Sequence, residues 1–382
     1  MSILRAAKLT RAPMLTLAAV GVNWGGLAGL MPDIKTAVAA SDGALGAALI
    51  APAVGSMIAL ALAPRFGQIA GTLALPLSGL GIALAVLLPL LPVSALTLAM
   101  ALFVTGGTVA LADMTANVRI AQLEARAGMH LQSVNHAVFS LSFGLTALAT
   151  AFARQAGYGP GEVLPVLALV ALALVLAGWD RRALPAHDDP DDAARGATPP
   201  WGIVLLAGLI LFAGFIGENA TEAWSALHIE RTLGAPAGEG SFGPATLGFV
   251  MFAGRLGGQV VASKVGEVRL ILVSAVLGAI GAVIIAAAPT KAVVIAGIAV
   301  LAIGMAVIVP ATNSIVGRAV SDAARPLAIS RSWLVGLLGF FLGPSMMGGL
   351  AQIWSLRVSF AAVALVVALI VPAVIALRRR AG

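Results

Sequence analysis

"DRRALPAHDDPDDAARGATPP", residues 180–200, is the long polar stretch in a chain that otherwise passes from one apolar run to the next. It is acidic and proline-rich and has no apolar periodicity, so it reads as a flexible linker rather than a packed element. The chain around it is 60% hydrophobic and 10% charged over 382 residues. That composition lies outside the soluble range and implies an integral membrane protein. A bilayer crossing needs about 20 apolar residues. Six such runs precede the linker, at 12–33, 44–63, 71–91, 94–118, 132–153 and 163–179. Six follow it, at 201–226, 243–263, 269–288, 291–317, 327–352 and 356–377. The expected fold is an all-α membrane protein of twelve transmembrane helices in two six-helix pseudo-repeats, 1–179 and 201–382, joined by 180–200. His187 with Asp188, Asp189, Asp191 and Asp192 suggests a metal site on paper, but mobile acidic linkers are far commoner and no metal is expected.

The first run follows Arg5, Lys8 and Arg11 yet has no small-residue cleavage site, so it is expected to stay as helix one. With an inner N-terminus, 17 of the 23 Lys and Arg residues fall on the inner side and 5 on the outer, with Arg255 inside a span. The positive-inside bias therefore puts both termini in the cytoplasm, and the bacterial inner membrane is the expected location. The net charge of +7 is mostly this bias, and no basic, aromatic-interleaved patch points to nucleic acid. With no cysteine there is no disulfide framework and no thiolate chemistry.

The halves echo each other. "PRFG" at 64–67 follows the second run and "SKVG" at 263–266 the eighth, while "GGTVALADMTAN" from Gly106 aligns with "GMAVIVPATNSI" from Gly304. Parallel six-helix repeats are the plan of a large transporter class in which the substrate sits between rocking halves.

Specific stretches carry a resemblance: "LMPDIKTAVAASDGALGAAL" from Leu30, "ALADMTANVRIAQLEARAG" from Ala110, "SVNHAVFSLSFG" from Ser133, "GENATEAWSAL" from Gly217, "FAGRLGGQ" from Phe252, "GMAVIVPATNSIVGRA" from Gly304 and "LGFFLGPSMMGGLAQIWSLR" from Leu338. On these the chain resembles the major facilitator superfamily, and within it the bacterial branch that includes the membrane protein of the rhizopine synthesis locus. The resemblance implies alternating access and a cytoplasmic gate in the loops after helices two and eight. Arg65, Gly67, Lys264 and Gly266 match that gate, but Pro64 and Ser263 stand where its acidic residues belong, which puts a salt-bridge latch of the common kind in doubt. In the same branch Glu222 stands for a helix-seven aspartate and Trp224 for the tryptophan two residues on. Gly343 and Pro344 resemble the glycine-proline segments that bend gating helices, though close packing explains them as well.

Ionisable groups deep in hydrocarbon are costly and normally face a cavity or a partner. Glu218 and Glu222, four apart in helix seven with Asn219 beside them, are candidate proton-coupling groups, Glu222 alternatively an outer-rim residue in water. Asp113 and Asn117 form a similar pair on helix four, and helix five brings Asn135 and His136 beside it. Asp113 with His136 makes either a proton-sensitive pair or a structural clasp. Arg255, in helix eight, is expected to pair with Asp113, to bind an anionic solute or to serve structure. Asn23 and Trp24 midway along helix one suit a sugar-like or amino-polyol solute, with Trp24 equally readable as packing. Asn313 is the counterpart of the Asp113 region in the second half. Asp33 and Lys35 are read as fixing the outer end of helix one.

The four histidines are scattered, with no nucleophile and base pairing, so an enzyme is not expected, and no cofactor is implied. The expected protein is a monomeric secondary transporter, proton-linked, whose partners are a small polar solute, protons and membrane lipid. A multidrug pump and a non-transporting sensor on the same fold are the alternatives.

Overall fold

The structure, a computed structural model, describes residues 3–129, 131–181, 200–321 and 324–381. Nearly all of the linker, including His187 and the aspartates beside it, lies outside the described residues. The long helices are α1 (Arg11–Ala37), α2 (Ala51–Ala70), α3 (Ala74–Ala85), α4 (Ala95–Ala127), α5 (Gln132–Gln155), α6 (Pro160–Ala177), α7 (Trp201–Leu227), α8 (Phe242–Val265) and α9 (Glu267–Ala287). Then come α10, in two segments (Lys291–Met305 and Ile308–Ala319), α11 (Arg325–Ile353) and α12, again in two (Leu356–Ala368 and Ile370–Ala381). Among the described residues 10 helical stretches are long and apolar enough to cross a membrane. The sequence gives twelve runs. The region 42–90 forms one such stretch of 49 residues that includes two of them, and α8, a helix of 24 residues, is not among the 10.

One boundary moves. "PRFG" at 64–67 is read as a loop, but α2 continues through Pro64 to Ala70 and turns at Gly71, whose φ of +53° suits glycine. Gly67 is ordinary helix, whereas Gly266, its counterpart in the sequence alignment of the halves, has φ +82° and separates α8 from α9. The turn equivalent to Gly266 is therefore Gly71.

Contacts group the chain into two compact units, Met1–Pro185 with Glu222–Leu256, and Ala186–Thr221 with Gly257–Gly382. Helix α7 contributes to both. In the first unit α1 lies against α5 at backbone distance, because Cβ atoms on Gly21 and Gly25 would meet the carbonyl oxygens of Phe139 and Phe143. Glycine at such contacts trades side-chain volume for close helix approach, the usual route to helix association in lipid. Ser94 caps α4 in a reciprocal box with Thr97, and α4 ends at Gly128 with φ +60°. The Glu124 carboxylate then accepts from the backbone N–H groups of Leu131 and Gln132, so the chain reverses directly into α5. In the second unit α9 and α10 pack through Gly278, Gly281, Gly297 and Gly304, and α11 lies on α7 at Gly336 and Gly339.

Candidate functional site

The tight α4–α5 reversal sets the register of the polar residues on the two helices. Asp113 and Asn117 occupy one face of α4, one turn apart, and Asn117 Nδ2 donates to Asp113 Oδ2 at 2.9 Å. Gln132, in the first turn of α5, donates through Nε2 to Asn117 Oδ1. His136 Nε2 lies 2.9 Å from Gln132 Nε2 and 3.2 Å from Asn117 Oδ1. Asn117 thus links Asp113 and His136, and no direct hydrogen bond joins the two among the described residues. Gln132 is a member that sequence reasoning missed; its i, i+4 spacing to His136 is the signal that could have found it.

Arg255 of α8 completes this cluster. Its Nη1 donates to Ser140 Oγ at 2.5 Å and approaches the His136 carbonyl at 3.4 Å, and the guanidinium carbon stands 5.8 Å from the centre of the Phe139 ring. Its charge acts on both Asp113 and His136. Arg255 thus acts on Asp113 through space and donates hydrogen bonds to α5. A guanidinium is by its chemistry a forked donor to oxyanions and polar oxygens. An acid, an imidazole, a guanidinium and two amides within an apolar helical unit can bind a polar solute and can carry a proton.

The other candidates are placed as follows. Asn23 is buried on α1 and its Nδ2 has no hydrogen-bond partner, while Trp24 beside it is half-buried. Glu218 and Glu222 are both partly buried and one turn apart on α7. Trp224, two residues on, is fully buried with its indole N–H unsatisfied. In the second unit the Asn219 Oδ1 is buried without a partner, beside Gly343 of α11. Buried polar atoms left unpaired are uncommon enough to call for an occupant, a water or a solute.

Asn313 of α10 accepts a hydrogen bond from Trp333 Nε1 at 3.1 Å. Trp333 in turn sits against Phe215, with ring centres 5.5 Å apart, and Phe215 against Phe340 at 4.9 Å. Trp333 is another residue the sequence reading passed over, because a tryptophan in an apolar run gives no periodic signal of its own. Of the residues assigned to gating, Arg65 and Lys264 are exposed, and Pro344 lies within continuous α11. Among the described residues no cluster of His, Cys, Asp or Glu has the form of a metal site.

A family model described as Major Facilitator Superfamily matches residues 223–382. An uncharacterised MFS-type transporter of Yersinia pestis is 27% identical over 347 residues, which cover 90% of this chain and 89% of that protein. Membrane protein MosC of Rhizobium meliloti is 24% identical over 330 residues, 84% of this chain and 78% of that one. Among solved structures, a D-xylose-proton symporter superposes with a TM-score of 0.73 at 16% identity, covering 98% of this chain and 99% of its own. At that identity the likeness is one of fold.

Proposed function

From a resemblance to the major facilitator superfamily that sequence and fold both carry, we propose that this chain is a secondary active transporter moving a small polar solute by alternating access, coupled to protons. In this reading twelve helices form two six-helix halves, 1–179 and 201–382, joined by 180–200, with both termini in the cytoplasm of a bacterial inner membrane. The observation that carries it is the cluster of Asp113, Asn117, Gln132, His136 and Arg255, a convergence of titratable and hydrogen-bonding groups among helices otherwise built to be apolar. Asn23, Asn219 and Asn313 supply further amides for a solute with hydroxyl or amino groups. Glu218 and Glu222 supply carboxylates for the proton.

Thermal stabilisation of the purified protein by polyols, amino sugars, organic acids, amino acids and cationic drugs, at acid and mildly alkaline pH, tests this reading. One narrow polar class that stabilises in a pH-dependent way is the expected result. A spread of large apolar, chemically unrelated ligands would replace it with multidrug efflux. With the solute in hand, Glu218→Gln is expected to abolish gradient-driven accumulation while leaving binding intact, and unchanged accumulation removes Glu218 from the coupling.

A further inference from the structure

Arg154, in the last turn of α5, has each nitrogen of its guanidinium donating to an oxygen. Its Nε and Nη2 donate to the two oxygens of Asp33 at 2.7 and 2.6 Å. Its Nη1 and Nη2 donate to the two oxygens of Glu230 at 2.5 and 2.9 Å, and Nη1 also reaches the Gly29 carbonyl and Ser241 Oγ. The side chain is 1% exposed. Beside it a second set repeats the pattern with the signs exchanged: the Asp42 carboxylate accepts from Lys35 at 2.8 Å and from Arg231 at 2.9 Å. Three acids and three bases thus form one neutral group. Asp33 and Lys35 come from the end of α1, Asp42 from the short helix after it, and Arg154 from α5. Glu230 and Arg231 are consecutive residues of the π-helical turn, His228–Thr232, that extends α7.

The segment from this turn to α8 is held on α1 and α5 by this charge group, by close backbone approach and, where it enters α8, by Phe242 set edge-on to Phe152 with ring centres 6.0 Å apart. Ser241 Oγ donates to the Gly29 carbonyl at 2.9 Å. Gly238, at φ +84°, lies where a Cβ would strike the Ala151 carbonyl, and Gly248 where one would strike the Gly144 backbone. Glu230 also accepts from the N–H groups of Gly238 and Gly240, so the fork that grips Arg154 shapes the hairpin too. The ionic part of this contact is a poor net stabiliser and a good switch. Burying charges costs nearly what their pairing returns. At helix ends the separated groups enter water and are rehydrated, so the joined and parted states stay close in free energy.

We propose that the charge group around Arg154 is the outer gate of the transport cycle, parting when the α7–α8 hairpin leaves α1 and α5 to admit solute from outside. This rests on the transporter reading and its orientation, which puts all six charges at the outer side. Glu230 is its key, because its carboxylate both grips Arg154 and accepts from the hairpin N–H groups of Gly238 and Gly240.

The chain has no cysteine, so a single introduced thiol reports without background. Thr150 is 1% exposed, its hydroxyl has no partner, and its methyl packs at Gly29 directly beneath the gate, so Thr150→Cys is a mild substitution with a buried thiol. Labelling from the outside with the membrane-impermeant cation 2-(trimethylammonium)ethyl methanethiosulfonate is compared with the exposed control Tyr158→Cys. Adding Glu230→Gln to Thr150→Cys is expected to raise the labelling rate about tenfold or more, as the parted state gains population. A folded Glu230→Gln protein that labels no faster overturns the gate and leaves a static staple. Should Glu230→Gln fail to fold, Arg231→Ala, at a half-exposed side chain, takes its place with a rise of a fewfold expected and an unchanged rate overturning the proposal. Labelling follows gate opening, whereas thermal stabilisation by solutes follows the transporter reading, so either idea fails on its own measurement.

Discussion

At Arg154 every donor of the guanidinium meets an oxygen, four of them carboxylate oxygens from two chain segments. At Arg255, in the same unit, the guanidinium donates to a hydroxyl and a carbonyl of α5, while the acid whose charge it feels, Asp113, is held by an amide. Both are cationic forks among apolar helices, Arg154 fully buried and Arg255 partly so; the first is closed by direct ion pairs to two carboxylates, and the second donates to a hydroxyl and a carbonyl. A guanidinium gripped by two carboxylates has its charge compensated on the spot and can be released only by moving a helix. An acid held by an amide, as Asp113 is by Asn117, keeps a carboxylate that a solute or a transferable proton can engage. The difference assigns closure between chain segments to the first cluster and exchange to the second.

The sharpest way to break the comparison is to remove the closed fork. Arg154→Leu leaves Asp33 and Glu230 facing each other without a counter-charge, and losing one partner of a buried pair costs about 3–5 kcal/mol. A large fall in the thermal midpoint in detergent, with reduced folded yield, is expected. A midpoint within a degree or two of the parent would mean that the carboxylates find other partners and that the fork is not the principal tie.

How far these clusters could be seen in the sequence follows from how far apart their members lie along the chain. Asp113, Asn117 and His136 were legible because two share an i, i+4 face and the third sits just past a short reversal, so adjacency in sequence becomes adjacency in space. Arg154 was not. Its partners stand 121 and 76 residues away, too far along the chain for any local spacing to pair them. Asp33 and Lys35 were read only as fixing the end of helix one, and nothing in "HIERT" announces a π turn that presents Glu230 and Arg231 to different partners. The apolar runs and the multi-pass, all-helical character were legible because lipid imposes composition directly. The position of the first turn glycine was not, since "PRFG" and "SKVG" match as letters while the backbone turns at Gly71 and Gly266.

A smaller effect sharpens the second half of the comparison. Asn117→Leu keeps the volume and removes both the donor to Asp113 and the acceptor for Gln132, leaving a partly buried carboxylate without its amide, at a cost of about 1–3 kcal/mol. If Asn117 only clasps α4 to α5, the midpoint falls and the affinity for a stabilising solute, measured at the same fraction folded, is unchanged. If the amide spaces exchangeable charges, solute affinity changes as well, together with its dependence on pH. Isothermal titration at two pH values separates these outcomes, and the second is the one expected here.

The smallest effect belongs to the rim of the closed fork. Arg231 is half-exposed and pairs with Asp42, which Lys35 also holds at 2.8 Å. An exposed ion pair contributes about 0.2–1 kcal/mol and is screened by salt. Arg231→Ala should therefore lower the thermal midpoint slightly, and the difference from the parent should shrink between low and high ionic strength. At the Asp113 cluster the corresponding substitution differs, because Arg255 there also packs on Phe139 and its loss removes an aromatic contact that salt does not screen. Arg255→Ala compared with Arg231→Ala across a salt series thus separates the two kinds of site by one criterion. Salt should erase most of the Arg231 effect and little of the Arg255 effect, and parallel salt dependences would show that both arginines act as exposed surface charges.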